Sequence, residues 1–226
     1  MAAQNKRASR RTAAPFARRL VIMVKEPKAG RVKTRLAREI GVVAATQFYR
    51  HAAAAVIGRL SRVPGWKTWL SVTPDTAVHG RTWDRHVPRR KQGGGDLGDR
   101  MQAIMEWPGR GPIIIVGTDI PAIEPRHIGR AFRRLSASDV VLGPTPDGGY
   151  WLVGLKRSPR VLVPFGGVRW SSANTLEDTV ANVPDKSVSL AARLADVDNA
   201  AEWAMVRSWS GRRVLPSAVR LRAMGA

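Results

Sequence analysis

The chain alternates short, almost unbroken apolar runs with longer stretches in which apolar residues return every third or fourth position. The runs fall at 20–24, 66–72, 113–116, 140–142 and 150–155, with a last one near 187–190. A strand covered by helices on both faces has no polar side to show. Such runs, alternating with helical periodicity, therefore predict βαβ units around a mostly parallel sheet. Helical periodicity covers 32–60 with a break at Gly41, and Phe48, Ala52, Ala55, Val56 and Leu60 form one apolar stripe. A second helix over 97–107 turns Met101, Ile104 and Met105 inward and stops at Pro108, and an arginine-rich one covers 125–135. Ser171 is placed to cap a helix running to about Val180, and Asn199 with Glu202 forms a capping box for the last one. The stretch after 73, including Gln92-Gly93-Gly94-Gly95-Asp96, reads as loop, and 144–149 reads as a turn.

The length of 226 residues suits one domain, expected over 19–210, between a basic disordered leader (1–18) and a basic tail (211–226). No apolar run approaches the roughly eighteen residues of a membrane-spanning helix, and the apolar run at 20–24 is too short for a signal-peptide core. With no cysteine, disulfides, thiolate metal sites and a cysteine nucleophile are excluded; a cytoplasmic location is the default expectation. The net charge of +21 favours a polyanionic partner or simply a solvated basic surface. The polar residues gather at strand ends and do not form a continuous basic face, so no specific nucleic-acid partner is expected.

In open α/β sheets ligands collect beyond the carboxyl ends of the strands. After the first run stands the turn 25–35, which carries Lys25, Lys28, Arg31, Lys33 and Arg35 around Gly30 and leads into a helix. Cations, free backbone N–H groups and a helix start all favour a phosphate there. No glycine precedes Lys33-Thr34, so the turn is not a Walker A loop, and the dinucleotide fingerprint G-x-G-x-x-G is absent. Asp119 follows the run 113–116 after Gly117-Thr118 and suits a hard divalent ion shared with substrate phosphates, with Asp198 or Asp196 as a second carboxylate. The alternative for the same two positions is that Asp119 caps the turn that follows it and Asp198 the last helix. Asp147 is either a turn former or a catalytic carboxylate, and the backbone at Gly94, Gly95 and Asp96 is open to a nucleobase or ribose. His51, His79, His86 and His127 have no mutual spacing, and no zinc site is expected.

Four blocks, 25–36 (KEPKAGRVKTRL), 92–101 (QGGGDLGDRM), 117–122 (GTDIPA) and 142–155 (LGPTPDGGYWLVGL), occur in an order that resembles a bacterial family of glycosyltransferase-like proteins. That family, first described as a domain of unknown function and also called selenodomain-associated transferases, has the nucleotide-diphospho-sugar transferase (GT-A) fold. The resemblance covers about 20–203, and VRWSS (168–172) and DVD (196–198) agree with later blocks. It implies a Rossmann-like three-layer α/β/α sandwich. Its implied ligands are a nucleotide held by Lys25, Gly30, Arg31, Lys33, Arg35, Gly94, Gly95 and Asp96, and a Mg or Mn ion at Asp119 with Asp198. It also implies catalysis by Asp147 and Lys33, and an acceptor near Gly148, Gly149, Tyr150, Trp170 and Ser171. The partners would be a nucleotide-activated small-molecule donor and an unidentified acceptor. The chain departs from the family in having Thr118-Asp119-Ile120 where many glycosyltransferases carry Asp-x-Asp, and Lys28-Ala29 where Val-Pro is common. Glycosyl transfer is the first functional reading. Nucleotidyl transfer, which uses a similar phosphate turn, is the second, and a non-catalytic nucleic-acid binder the third.

Overall fold

The computed structural model describes residues 16–197 and 199–204. Most of the expected leader, the whole C-terminal tail and Asp198 lie outside the described residues. Among those described, the strands are β1 (Arg19–Lys25), β2 (Lys67–Thr73), β3 (Arg89–Lys91), β4 (Ile113–Val116), β5 (Val140–Pro144), β6 (Tyr150–Leu155) and β7 (Val188–Leu190). The helices are α1 (Thr34–Ile40), α2 (Val42–Ser61), α3 (Leu97–Met105), α4 (Pro125–Arg134) and α5 (Thr175–Ala181), followed by helical residues at 200–204.

One seven-stranded sheet runs in the order β3-β2-β1-β4-β6-β5-β7. β1 pairs in parallel with β2 and β4, β2 with β3, and β5 with β7, whereas β6 is antiparallel to both β4 and β5. Alternation along the strands divides the core into two layers. Leu20, Ile22, Val24, Leu70, Val72, Ile114 and Val116 pack with Tyr49, Val56, Ile57 and Leu60 of α2 and Ile128 and Phe132 of α4. Val21, Ile113, Ile115, Leu142, Val153 and Leu155 pack on the other side with Met101, Ile104 and Met105 of α3 and the partly buried Leu176 and Val180 of α5. A fully buried residue such as Leu60 or Ile104 contributes on the order of 1.5–3 kcal/mol to this arrangement. The result is the mostly parallel sheet that the apolar runs predict, in the three-layer α/β/α sandwich that the family resemblance implies. No helix among the described residues is long and apolar enough to cross a membrane.

Several local expectations need correction. The stretch after 73 holds a strand, β3, whose three residues are all cationic and so give no apolar signal; an edge strand is where charge is tolerated and useful. The buried stripe of α2 runs through Ala45, Tyr49, Ala52, Ala53, Val56, Ile57 and Leu60, leaving Phe48 and Ala55 only half-buried. Ser171 does not cap a helix: its φ is 57°, and α5 begins at Thr175 after Asn174. The capping box at Asn199 and Glu202 is formed, with Glu202 N–H donating to Asn199 Oδ1 at 2.9 Å and Asn199 N–H to Glu202 Oε2 at 3.1 Å.

Candidate active site

The strand order reverses between β1 and β4, since β2 and β3 lie to one side of β1 and the later strands to the other. A cleft of about 560 Å³ opens at the carboxyl ends of these two strands, the place where such sheets leave room for a ligand. Lys25, Arg31, Lys33 and Thr34 line it from the first turn, Gly117, Thr118 and Asp119 from the end of β4, and Thr145, Asp147, Gly149 and Tyr150 from the β5–β6 hairpin.

Lys33 is the pivot of the first turn. It takes a left-handed backbone (φ 47°, ψ 48°) immediately before α1, and Ala37 N–H donates to its carbonyl at 2.8 Å. That conformation costs a non-glycine residue roughly 1–2 kcal/mol. It accompanies a side chain only 4% exposed whose Nζ lies 3.3 Å from Oδ1 of the half-exposed Asp119. Lys28 is spent locally on Glu26, at 2.9 Å. Lys25 and Arg31 are exposed residues on the cleft wall, whereas Gly30 (φ 74°) and Arg35, the second residue of α1, do not line it.

Tyr49 was not legible as a site residue. From α2 its hydroxyl accepts Lys25 N–H at 2.8 Å and the Thr118 hydroxyl at 3.4 Å, tying the ends of β1 and β4 together. Burial pushes this phenol up to about 12, and the nearby Asp119 charge adds to the effect, so it stays protonated. The sequence signal was the 45-49-52-56-60 spacing, masked by the more apolar Phe48 next door.

In the hairpin turn, Asp147 Oδ1 accepts from Thr145 Oγ1 and from Gly149 N–H at 3.1 Å. This fixes the carboxylate and leaves Oδ2 without a hydrogen bond among the described residues. Gly148 is not on the cleft wall: at φ 85° it leaves no room for a Cβ beside the Ala173 backbone, and its carbonyl accepts Leu176 N–H at 3.0 Å. Tyr150, Trp170 and Ser171 line the far side. The Tyr150 hydroxyl meets Thr179 Oγ1 at 3.3 Å and the Trp170 N–H donates to Asp96 Oδ2 at 3.3 Å, so the polar atom of each ring is already engaged. Gly94, Gly95 and Asp96 do not line the cleft. Asp96 instead caps α3 in a reciprocal box with Asp99, close against Gly95. From this segment Gln92, Leu97 and Arg100 reach the wall, with Arg100 held by Gly95 O at 2.8 Å.

The chain leading into the last helix borders the site. Val197 N–H donates to Asp119 O at 3.2 Å, Ala200 N–H to Glu39 Oε2 at 2.9 Å, and Asp196 lines the cleft. Asp198 lies outside the described residues. No group of three or more His, Asp or Glu side chains suited to a metal gathers among the described residues. Asp119 and Asp196 both line the cleft, and a hard ion can be held by one or two carboxylates with substrate phosphates completing its shell.

A family model described as an uncharacterized protein conserved in bacteria (DUF2064) matches residues 56–172. A protein from Desulfovibrio desulfuricans G20, provisionally named a nucleotide-diphospho-sugar transferase, is 25% identical; the match covers 87% of this chain and 96% of that one with a TM-score of 0.77. The fold is shared with a CMP:2-keto-3-deoxy-manno-octonic acid synthetase complexed with CTP (14% identity, 86% and 98% covered, TM-score 0.55). It is shared too with 4-diphosphocytidyl-2C-methyl-D-erythritol synthase from Anaerococcus prevotii DSM 20548 (9% identity, 87% and 97% covered, TM-score 0.57). No curated protein matches the chain.

Proposed function

The chain belongs to the DUF2064 family, and from that footing we propose that it is a transferase acting on a nucleotide-activated donor. The observation that carries this reading is the Lys33–Asp119 pair at the reversal point of the sheet, flanked on the cleft wall by Lys25 and Arg31. Lys25, Arg31 and Lys33 gathered with the Asp119 carboxylate at the strand ends are what a polyphosphate ester needs for binding and for departure.

Glycosyl transfer from a nucleotide-diphospho-sugar to a small-molecule acceptor is the reading we favour, supported by the name given to the 25%-identical relative. Lys33 and Arg31 bind the diphosphate, with Lys25 at its edge. As the bond from the sugar to the diphosphate oxygen breaks, negative charge grows on the departing group, and pre-placed cations stabilise it more than they stabilise the intact donor. A divalent ion at Asp119 and Asp196 would, when bound, add to that neutralisation. Asp147 accepts the acceptor's hydroxyl proton at Oδ2, its other oxygen being held by Thr145 and Gly149. The ring faces of Tyr150 and Trp170 form the acceptor wall.

Nucleotidyl transfer is the second reading, favoured by the fold shared with a synthetase that binds CTP. There a phosphorylated substrate attacks the α-phosphate and pyrophosphate leaves, with the same cations on the β and γ phosphates. The two separate on products when the pure protein is incubated with nucleotide sugars, nucleoside triphosphates and a metabolite extract. Free nucleoside diphosphate supports the first and pyrophosphate the second; release of neither counts against both.

A further inference from the structure

We infer that the Tyr49 hydroxyl is a neutral hydrogen-bond donor to the polyphosphate, completing the seat that Lys33 forms with its charge; this rests on the nucleotide reading above. A phenol has one proton and two acceptor lone pairs. Here both acceptor positions are filled, one by Lys25 N–H at 2.8 Å and one by the Thr118 hydroxyl at 3.4 Å. The proton has no acceptor among the described residues. Tyr49 is 5% exposed and on the cleft wall. A buried O–H without an acceptor is costly, and the cleft that Tyr49 lines together with Asp119 is where a ligand oxygen can supply one.

The two bonds that Tyr49 accepts also determine its use. Lys25 and Thr118 hold the oxygen from the ends of the two strands that flank the cleft, so the O–H is aimed before any ligand arrives. Asp119 makes no hydrogen bond to Tyr49, although its charge is felt there. A phosphate oxygen entering between Lys33 and Tyr49 would take a charged donor from one side and a neutral donor from the other. The neutral donor adds hydrogen bonding without another positive charge that the empty cleft would have to carry. Because the phenol is held up to about 12 by its burial, it remains a donor across the physiological range.

The test uses inorganic pyrophosphate, the chemistry common to every nucleotide substrate considered. The chain has two tyrosines, Tyr49 and Tyr150, so full-length protein labelled with 3-fluorotyrosine gives two fluorine resonances, and the one lost in Tyr49→Phe is assigned. Pyrophosphate is expected to move the Tyr49 resonance, and Tyr49→Phe to weaken pyrophosphate binding in calorimetry about tenfold, the size of one hydrogen bond to a charged group. A Tyr49 resonance that stays in place while wild-type protein binds pyrophosphate overturns the inference, even where Tyr49→Phe binds weakly or fails to fold, since the hydroxyl would then serve only Lys25 and Thr118. Equal affinity of wild type and a folded Tyr49→Phe overturns it as well. Wild-type protein that binds no pyrophosphate at all removes the nucleotide reading along with it, which distinguishes the two failures.

Discussion

Lys33 Nζ stands 3.3 Å from Asp119 Oδ1, an almost fully buried ammonium against a half-exposed carboxylate. The asymmetry matters because the buried partner is the one that depends on the pair. Removing the carboxylate charge leaves a desolvated cation with less to balance it, whereas removing the lysine leaves an acid that water can still reach.

Asp119→Asn should therefore lower stability by about 1–3 kcal/mol, in spite of the exposure of the aspartate, and combining it with Lys33→Met should recover part of that loss. Urea denaturation of the two single variants and the double variant measures the coupling. Strict additivity would mean that the pair contributes nothing to the fold.

Lys33 also holds a left-handed backbone at φ 47°. Glycine adopts that conformation freely, while alanine keeps the strain. Lys33→Gly should be more stable than Lys33→Ala by about 1 kcal/mol, although both lose the ammonium. Equal denaturation midpoints would show that the turn relaxes once the side chain is gone.

Two glycines of the quoted blocks should respond in opposite ways. A Cβ at Gly148 would lie 2.1 Å from the Ala173 carbonyl oxygen at a positive φ, whereas one at Gly94 meets nothing within 4 Å. Gly148→Ala is expected to cost about 2–4 kcal/mol from overpacking and strain, and Gly94→Ala to stay within about 0.5 kcal/mol of wild type. A tolerated Gly148→Ala would show that the hairpin turn and the segment before α5 are not locked together.

The loop that carries Trp170 and Ser171 is fastened by Arg169, which donates to Asp178 from its guanidinium at 2.7 and 2.9 Å and from its backbone N–H at 2.9 Å. These bonds hold the Asp178 carboxyl down at about 2, from an ordinary 3.8. A carboxylate with a depressed folded pKa stabilises the protein above its unfolded value and loses that contribution as pH falls through the folded one. Asp178→Asn should therefore be less stable than wild type at pH 5, with the gap closing between about pH 4 and 2. Thermal melts across that range check it, and a gap independent of pH would assign the loss to something other than the ionised carboxylate.

The sequence pattern made the sandwich legible because strands buried on both faces are written in continuous apolar residues. Asp119 was legible for a related reason, as a charged residue standing three positions beyond such a run. β3 was not, because Arg89-Arg90-Lys91 is an edge strand in which cations are tolerated and no hydrophobic period exists. Tyr49 escaped because Phe48 is the more apolar of two adjacent rings, and only the tertiary packing decides which of them enters the core. The pairing of Lys33 with Asp119 depends on a single left-handed residue, which no periodicity announces. Gly95 and Asp96 carry a motif of the site, yet their own contacts are those of a helix cap. The motif places Gln92, Leu97 and Arg100 on the cleft wall instead.

The most direct test is calorimetric titration of wild-type protein and of Lys33→Ala with nucleoside diphosphates and triphosphates and nucleotide sugars, each with and without magnesium. Wild type should bind at least one of them saturably, and Lys33→Ala should bind it at least about tenfold more weakly, the cost of losing one buried charge-assisted contact to phosphate. Equal binding by both proteins, or no binding of any nucleotide by wild type, would contradict a polyphosphate seat at Lys33 and Asp119.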